Sequence, residues 1–81
     1  MTFFGMENQD LTTLGDRIRE QRKKLGLTQE ELAHKAEIDR SYIGGVERGE
    51  RNLTLKVLCG ICIALECDIA ALTKGIPGVP R

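Results

Sequence analysis

Residues 27–49 read LTQEELAHKAEIDRSYIGGVERG, and this stretch decides the fold. Thr28 with Glu31 three residues later is a capping box, in which a hydroxyl and a carboxylate each satisfy a free backbone N–H at a helix start. Leu32, Ala33 and Ala36 give the helix a small apolar face. It has room for only two turns, because Ile38 and Asp39 read as a connecting turn and a new N-cap. The next helix runs from Asp39 to about Arg48, uses Tyr42, Ile43 and Val46 as its apolar positions, and stops at Gly49. Gly44 and Gly45 sit inside it, each costing the helix roughly 1 kcal/mol relative to alanine. Two short helices joined by a turn of about three residues have helix-turn-helix spacing.

Upstream, a first helix is expected from about Leu14 to Leu25. Leu14, Ile18 and Leu25 share one face at a 3.6-residue period, Thr13 with Asp16 forms a capping-type start, and Gly26 is the stop. Residues 1–12 lack periodicity and read as a flexible arm anchored only by Phe3 and Phe4, with Met6 as an alternative start. Downstream, residues 50–53 form a polar loop. A fourth helix follows Thr54, with Leu55, Leu58, Cys62 and Leu65 in one stripe and Ile61 beside it. A fifth begins near Asp68 and carries Ile69 and Leu72. The tail GIPGVPR, residues 75–81, holds two Gly and two Pro and is expected to be disordered. The domain is therefore residues 13–74, all-α, with five short helices and no strand pattern.

The composition agrees. With 81 residues, 41% of them hydrophobic and no tryptophan, the chain has one small core of Leu, Ile, Val and Ala. A domain of this size gains from self-association. No apolar run approaches a membrane span and the N-terminus has no signal-peptide pattern, so a cytoplasmic location and no membrane partner are expected. The formal net charge is zero, but residues 17–56 hold ten Lys or Arg against seven acids. Such a local excess can supply phosphate contacts where the whole chain does not.

Residues 27–49 resemble the helix-turn-helix of the phage-repressor-like (Xre-type) family of small bacterial regulators, chiefly through L-T-Q-E-E-L-A (27–33) and V-E-R-G (46–49). The likeness extends from about Leu14 to Leu72. DRSYIGGVERGERN (39–52) is similar, more narrowly, to the controller proteins of restriction–modification systems, with Gly44 in place of the serine of their pattern. The resemblance implies a five-helix, lambda-repressor-like DNA-binding domain. Its third helix would enter the major groove and read base edges from its N-terminal residues.

On this resemblance Arg40 is the leading base reader, since a guanidinium can bond guanine O6 and N7 together. Ser41 is a less specific second. Tyr42 either touches DNA through its hydroxyl or packs its ring on the domain. Gly44 and Gly45 either let the helix approach the bases closely or let it pack on a neighbouring helix. Gln29, Lys35, Arg48, Arg51 and Asn52 are the candidates for phosphate contact. The family match pairs Glu47 with Arg22 as a structural clamp between the first and third helices. Glu30 and Glu31 match the place where relatives touch the sigma subunit of RNA polymerase. Most of the basic run Arg17, Arg19, Arg22, Lys23 and Lys24 reads as a solvated face.

The expected partner is double-stranded DNA with a palindromic operator. It would be bound by a homodimer whose interface is built from Ile63, Leu65, Ile69 and Leu72. The resemblance implies a transcriptional activator and repressor that controls its own gene. A generic phage-like repressor, an antitoxin and a thiol-responsive regulator are the alternatives. Cys59, Cys62 and Cys67 spell C-x2-C-x4-C, short of the four ligands of a zinc site. Cys62 lies on the apolar stripe and reads as a buried hydrophobe. His34 reads as a surface histidine. No metal, cofactor or catalytic constellation is expected.

Overall fold

The computed structural model describes residues 8–78, and among these the chain is helical without a strand. The helices are α1 (Asn8–Lys24), α2 (Gln29–Ala36), α3 (Arg40–Glu47), α4 (Leu55–Ala64) and α5 (Ile69–Thr73). Thr28 begins α2 with the expected reciprocal box: its hydroxyl accepts from the Glu31 N–H, and Glu31 Oε1 accepts from the Thr28 N–H at 2.8 Å. Asp39, Thr54 and Asp68 cap α3, α4 and α5, their side chains accepting from the backbone N–H groups of Ser41, Val57 and Ala71. Four helices end alike, with a left-handed residue (Gly26, Glu37, Gly49, Glu66) followed by an N–H that closes back five residues. The C-x4-C spacing spans one such end, where the Cys67 N–H donates to the Cys62 carbonyl at 3.1 Å.

One core serves all five helices. Ile18, Leu32, Ile43, Ile61 and Leu65 are fully buried, and Leu14, Ala33, Val46, Leu58, Cys62 and Leu72 close around them. α3 lies between α1 and α2, α4 packs on α2, and α5 packs on α1 and α4. Gly15 sets the approach of α1 to α3. A Cβ there would stand 2.4 Å from the Val46 carbonyl oxygen, so any side chain would push the helices apart. The ends of α4 and α5 are held from α1: Gln21 donates to the Leu65 carbonyl, and Arg17 donates to the carbonyls of Leu72 and Lys74.

Several expectations need correction. α1 starts six residues earlier than Leu14, so residues 8–12 are helical and not a loose arm. Thr13 and Asp16 lie mid-helix, where Thr13 donates to the Gln9 carbonyl and Asp16 pairs with Arg19. The buried face runs Leu11, Leu14, Ile18 and then Arg22, while Leu25 lies beyond the helix in an exposed turn. A charged residue closes the stripe, and a purely apolar period overlooks it. The first part of the tail is ordered too: Ile76 packs against the core, and the Gly78 N–H donates to Asp10 Oδ1 at 2.9 Å. Phe3, Phe4 and Met6 lie outside the described residues, as do residues 79–81.

On α4, Leu58, Ile61, Cys62 and Leu65 face inward, whereas Leu55 is 68% exposed. Leu65 and Leu72, expected at an interface between copies, are instead spent on the chain's own core. Ile63, 78% exposed, and half-buried Ile69 are the members of that set left at the surface.

Candidate nucleic-acid interface

α3 has one committed side and one open side. Ile43, Val46 and Glu47 are buried, while Arg40, Ser41 and Arg48 are exposed. Glu47 is the keystone beneath it. Arg22 Nε donates to Glu47 Oε2 at 2.6 Å and Arg22 Nη2 donates to Oε1 at 3.0 Å. Arg22 Nη1 also donates to the Leu27 carbonyl, and Gln29 Nε2 donates to Glu47 Oε1 at 3.0 Å. One carboxylate thus joins α1, the start of α2 and the end of α3. A buried, fully bonded pair fixes geometry more than it adds stability, but it becomes costly once either partner is removed. Gln29, expected at a phosphate, has its side chain turned inward to this cluster, leaving its backbone at the first turn of α2.

At the N-terminus of α3, the Asp39 carboxylate accepts both the backbone N–H and the hydroxyl of Ser41. The hydroxyl bond, then the backbone bond, holds the Asp39 carboxyl below its ordinary range. Ser41 has therefore committed its hydroxyl proton and keeps its oxygen lone pairs as acceptors. Arg40, adjacent, stands in solvent.

The other expected site residues divide into two groups. Arg51 comes back over α3, its guanidinium carbon 5.2 Å from the centre of the half-buried Tyr42 ring. Arg48 pairs with Glu50 at 3.1 Å, both well exposed, a pair of little energetic weight. Asn52 is exposed in the same loop. Lys35 belongs elsewhere: with Leu27, Glu30, Glu31 and His34 it lines a depression of about 430 Å³ on α2. Glu31 there is tied to the capping box, and the Thr28 N–H lowers its carboxyl's proton affinity. Glu30 is exposed beside it.

The cysteines are all free: Cys59 exposed, Cys62 buried, Cys67 half-buried. Burial, reinforced by Cys67, pushes the Cys62 thiol up to about 11, which keeps it protonated and unreactive. Among the described residues no three His, Cys, Asp or Glu side chains are grouped to hold a metal ion. Among the described residues no helix is long and apolar enough to cross a membrane.

Sequence reasoning missed Gly15 and Gly49 as close-approach positions. A Cβ on Gly49 would stand 2.8 Å from Thr12 Cα. Only the partner backbone makes such positions special, and no local pattern announces it. It also put Leu55 on the inward stripe of α4, whereas Leu55, Cys59 and Ile63 recur every four residues along the exposed side. That spacing was visible, one step around the helix from the stripe chosen.

Residues 18–72 match the helix-turn-helix family model. The chain is 41% identical over 59 residues to the control protein C.SmaI of Serratia marcescens, covering 73% of this chain and 70% of that one. It is 40% identical over 60 residues to the immunity repressor protein of Bacillus phage phi105. That match takes in 74% of this chain and 42% of the repressor, so the chain spans less than half the repressor's length. Among solved structures, the restriction–modification controller C.AhdI from Aeromonas hydrophila superposes with a TM-score of 0.77 at 45% identity, over 79% of this chain and 97% of that one. The controller C.Esp1396I, as a tetramer on its natural 35-base-pair operator, gives 0.71 at 42% identity, over 76% and 82%. The chain belongs to the Xre-type helix-turn-helix family of DNA-binding transcriptional regulators, with restriction–modification controllers among its relatives.

Proposed function

We propose that this chain is the autoregulatory controller of a restriction–modification system, reading DNA in a sequence-specific way as a homodimer. The observation that carries the reading is the exposed start of α3, Arg40 and Ser41, on a helix whose other side is anchored through Glu47 to α1 and α2. A reading helix must be held rigidly, because base-edge hydrogen bonds tolerate little displacement. In this reading Arg40 and Ser41 contact bases, with Tyr42 beside them. Arg48, Arg51, Asn52 and the backbone N–H groups at the start of α2 hold phosphates and set the register.

The homodimer presents two copies of α3 to half-sites about 34 Å apart. Its contact face is the open side of α4, with Ile63 and Leu55 at the centre and Ile69 at the edge. The operator tetramer of C.Esp1396I supports an assembly of this kind. Glu30, whose neighbour Glu31 is engaged in capping, is the residue proposed to touch the sigma subunit. A second reading, a phage-like repressor unconnected with restriction, is favoured by the likeness to the phi105 immunity repressor. In either role the protein works in the cytoplasm, on DNA, without a catalytic step.

The test is fluorescence anisotropy of labelled DNA from immediately upstream of the gene, against random DNA, at two salt concentrations. The proposal expects tight, cooperative, salt-dependent binding that prefers the upstream sequence and is lost in Arg40→Ala. Equal weak binding to both sequences would remove the autoregulatory reading.

A further inference from the structure

Gly44 and Gly45 occupy consecutive positions in the middle of α3, and both are buried. The backbone of a neighbouring helix is not what a Cβ at either position would first meet. A Cβ on Gly44 would meet Arg48 Nη1 at 3.2 Å and Gln29 Oε1 at 3.7 Å. A Cβ on Gly45 would meet Cγ and Nε of Arg51 at 3.2 Å and its Cδ at 3.7 Å. Every one of these neighbours is a polar, flexible side chain. Gly15, which does permit helix-to-helix packing, faces backbone oxygens at 2.4 and 2.6 Å. The two kinds of glycine are physically distinct. Nor is the backbone at 44 and 45 bare toward solvent, since arginine side chains lie over it.

The geometry points to Gly44 and Gly45 as positioning residues: together they form a trough along α3 in which the Arg48 and Arg51 side chains lie. This inference rests on α3 being the DNA-facing helix. Arg51 belongs to the loop after α3, yet its stem crosses Gly45 and its guanidinium reaches the ring of Tyr42, one turn nearer the reading end. Arg48, at the helix end, lays a guanidinium nitrogen over Gly44, one turn from Arg40. Two cations encoded behind the reading residues are thereby carried forward beside them. A free arginine loses much rotamer entropy on binding, and a side chain already seated against the helix loses less. The helix propensity given up at two positions is the cost of that arrangement.

Alanine substitution separates this role from a structural one, because alanine favours the helix and the displaced atoms are flexible. Gly45→Ala is expected to melt at the same temperature as the parent or higher. It is also expected to bind upstream DNA about tenfold more weakly, as for loss of one arginine contact. In an Arg51→Ala background the same substitution should have almost no further effect. Gly44→Ala should behave likewise with Arg48→Ala. Full affinity in Gly45→Ala would overturn the inference. So would an equal loss with and without Arg51, since the Cβ would then be acting on the DNA directly. A measurement on the parent protein is independent of folding and of DNA. Proton NMR should show Arg51 side-chain resonances shifted upfield by the Tyr42 ring and relaxed toward random-coil positions in Gly45→Ala. Unshifted Arg51 resonances in the parent would overturn the trough. Failure of the parent to prefer upstream DNA would instead strike the functional reading and leave the NMR result standing.

Discussion

α3 and α4 are built to one plan and carry opposite surfaces. Each begins at a capping side chain, Asp39 or Thr54, buries a fully enclosed isoleucine, Ile43 or Ile61, and ends in a left-handed residue. Their undersides differ. Beneath α3, buried Ile43 and Val46 are joined by a carboxylate bonded to Arg22 and Gln29, whereas α4 rests on Leu58, Ile61, Cys62 and Leu65. Their outer sides differ as well: Arg40, Ser41 and Arg48 on one, Leu55, Cys59 and Ile63 on the other. Hydrogen bonds have preferred directions and apolar contacts do not. In the proposed reading, α3 needs that directional support to read base edges, and α4, which would meet a second apolar surface, does not.

The largest expected effect is on the support of α3. Glu47→Ala leaves the Arg22 guanidinium buried without its carboxylate, and should cost about 3–5 kcal/mol in urea unfolding. Ile61→Val beneath α4 should cost only about 0.5–1.5 kcal/mol. Equal losses at the two sites would remove the distinction between the undersides.

The outer sides come next. If α4 is the contact between copies, Ile63→Asp replaces apolar burial worth about 1.5–3 kcal/mol per side chain. Sedimentation should then report monomer at concentrations where the parent is dimeric, with the thermal melt of the fold little changed. A dimer that survives Ile63→Asp would place the interface elsewhere. Arg40→Ala should leave the dimer intact and lose about 1–3 kcal/mol of discrimination between upstream and random DNA. A uniform loss on both DNAs would make Arg40 a phosphate contact.

The two caps also respond differently to acid. Asp39 is a carboxylate held below its ordinary range by Ser41, so its contribution is complete above the unfolded-state value and is lost as the pH falls through the lower folded one. Thr54 does not titrate. On acidification below the usual aspartate range, the Ser41 amide resonance should shift while that of Val57, bonded to Thr54, stays in place. Parallel shifts would mean global unfolding and no local cap effect.

The legible parts of the chain were those whose signal is local. Thr28 with Glu31, Asp39, Thr54 and Asp68 mark four helix starts from side-chain chemistry alone, and Gly26 and Gly49 mark two ends. The start of α1 was not legible, because Asn8–Thr12 gains its order from Leu11 in the core and Asp10 against Gly78, contacts distant in sequence. Which apolar side chains stay at the surface was half legible for the same reason. Leu65 lies on the α4 stripe and is legible as core, but burial of Leu72 depends on how α5 folds back onto α1, which no period on α5 encodes. At α3, residue type named Arg48 and Arg51 as cations. Only the three-dimensional course of the loop shows that they lie over Gly44 and Gly45.

The smallest expected effect lies at the helix ends. α3 turns at Gly49, with φ +78°, and α4 turns at Glu66, with φ 59°. A side chain in that region is strained by contact with the following carbonyl, so Glu66→Gly should stabilise the fold by about 0.5–1 kcal/mol through the native state. Part of that gain is offset by the wider freedom of glycine in the unfolded chain. Gly49→Ala should do the reverse and more, because its Cβ would also press on Thr12. Glu37→Gly, with φ 57° at the end of α2, provides the internal control. Its stabilisation should match that of Glu66→Gly if backbone strain alone is relieved. A gain at Glu37 without one at Glu66 would mean that Glu66 does work at the open side of α4 that offsets its strain, and that the two helices differ at their ends as well as on their faces.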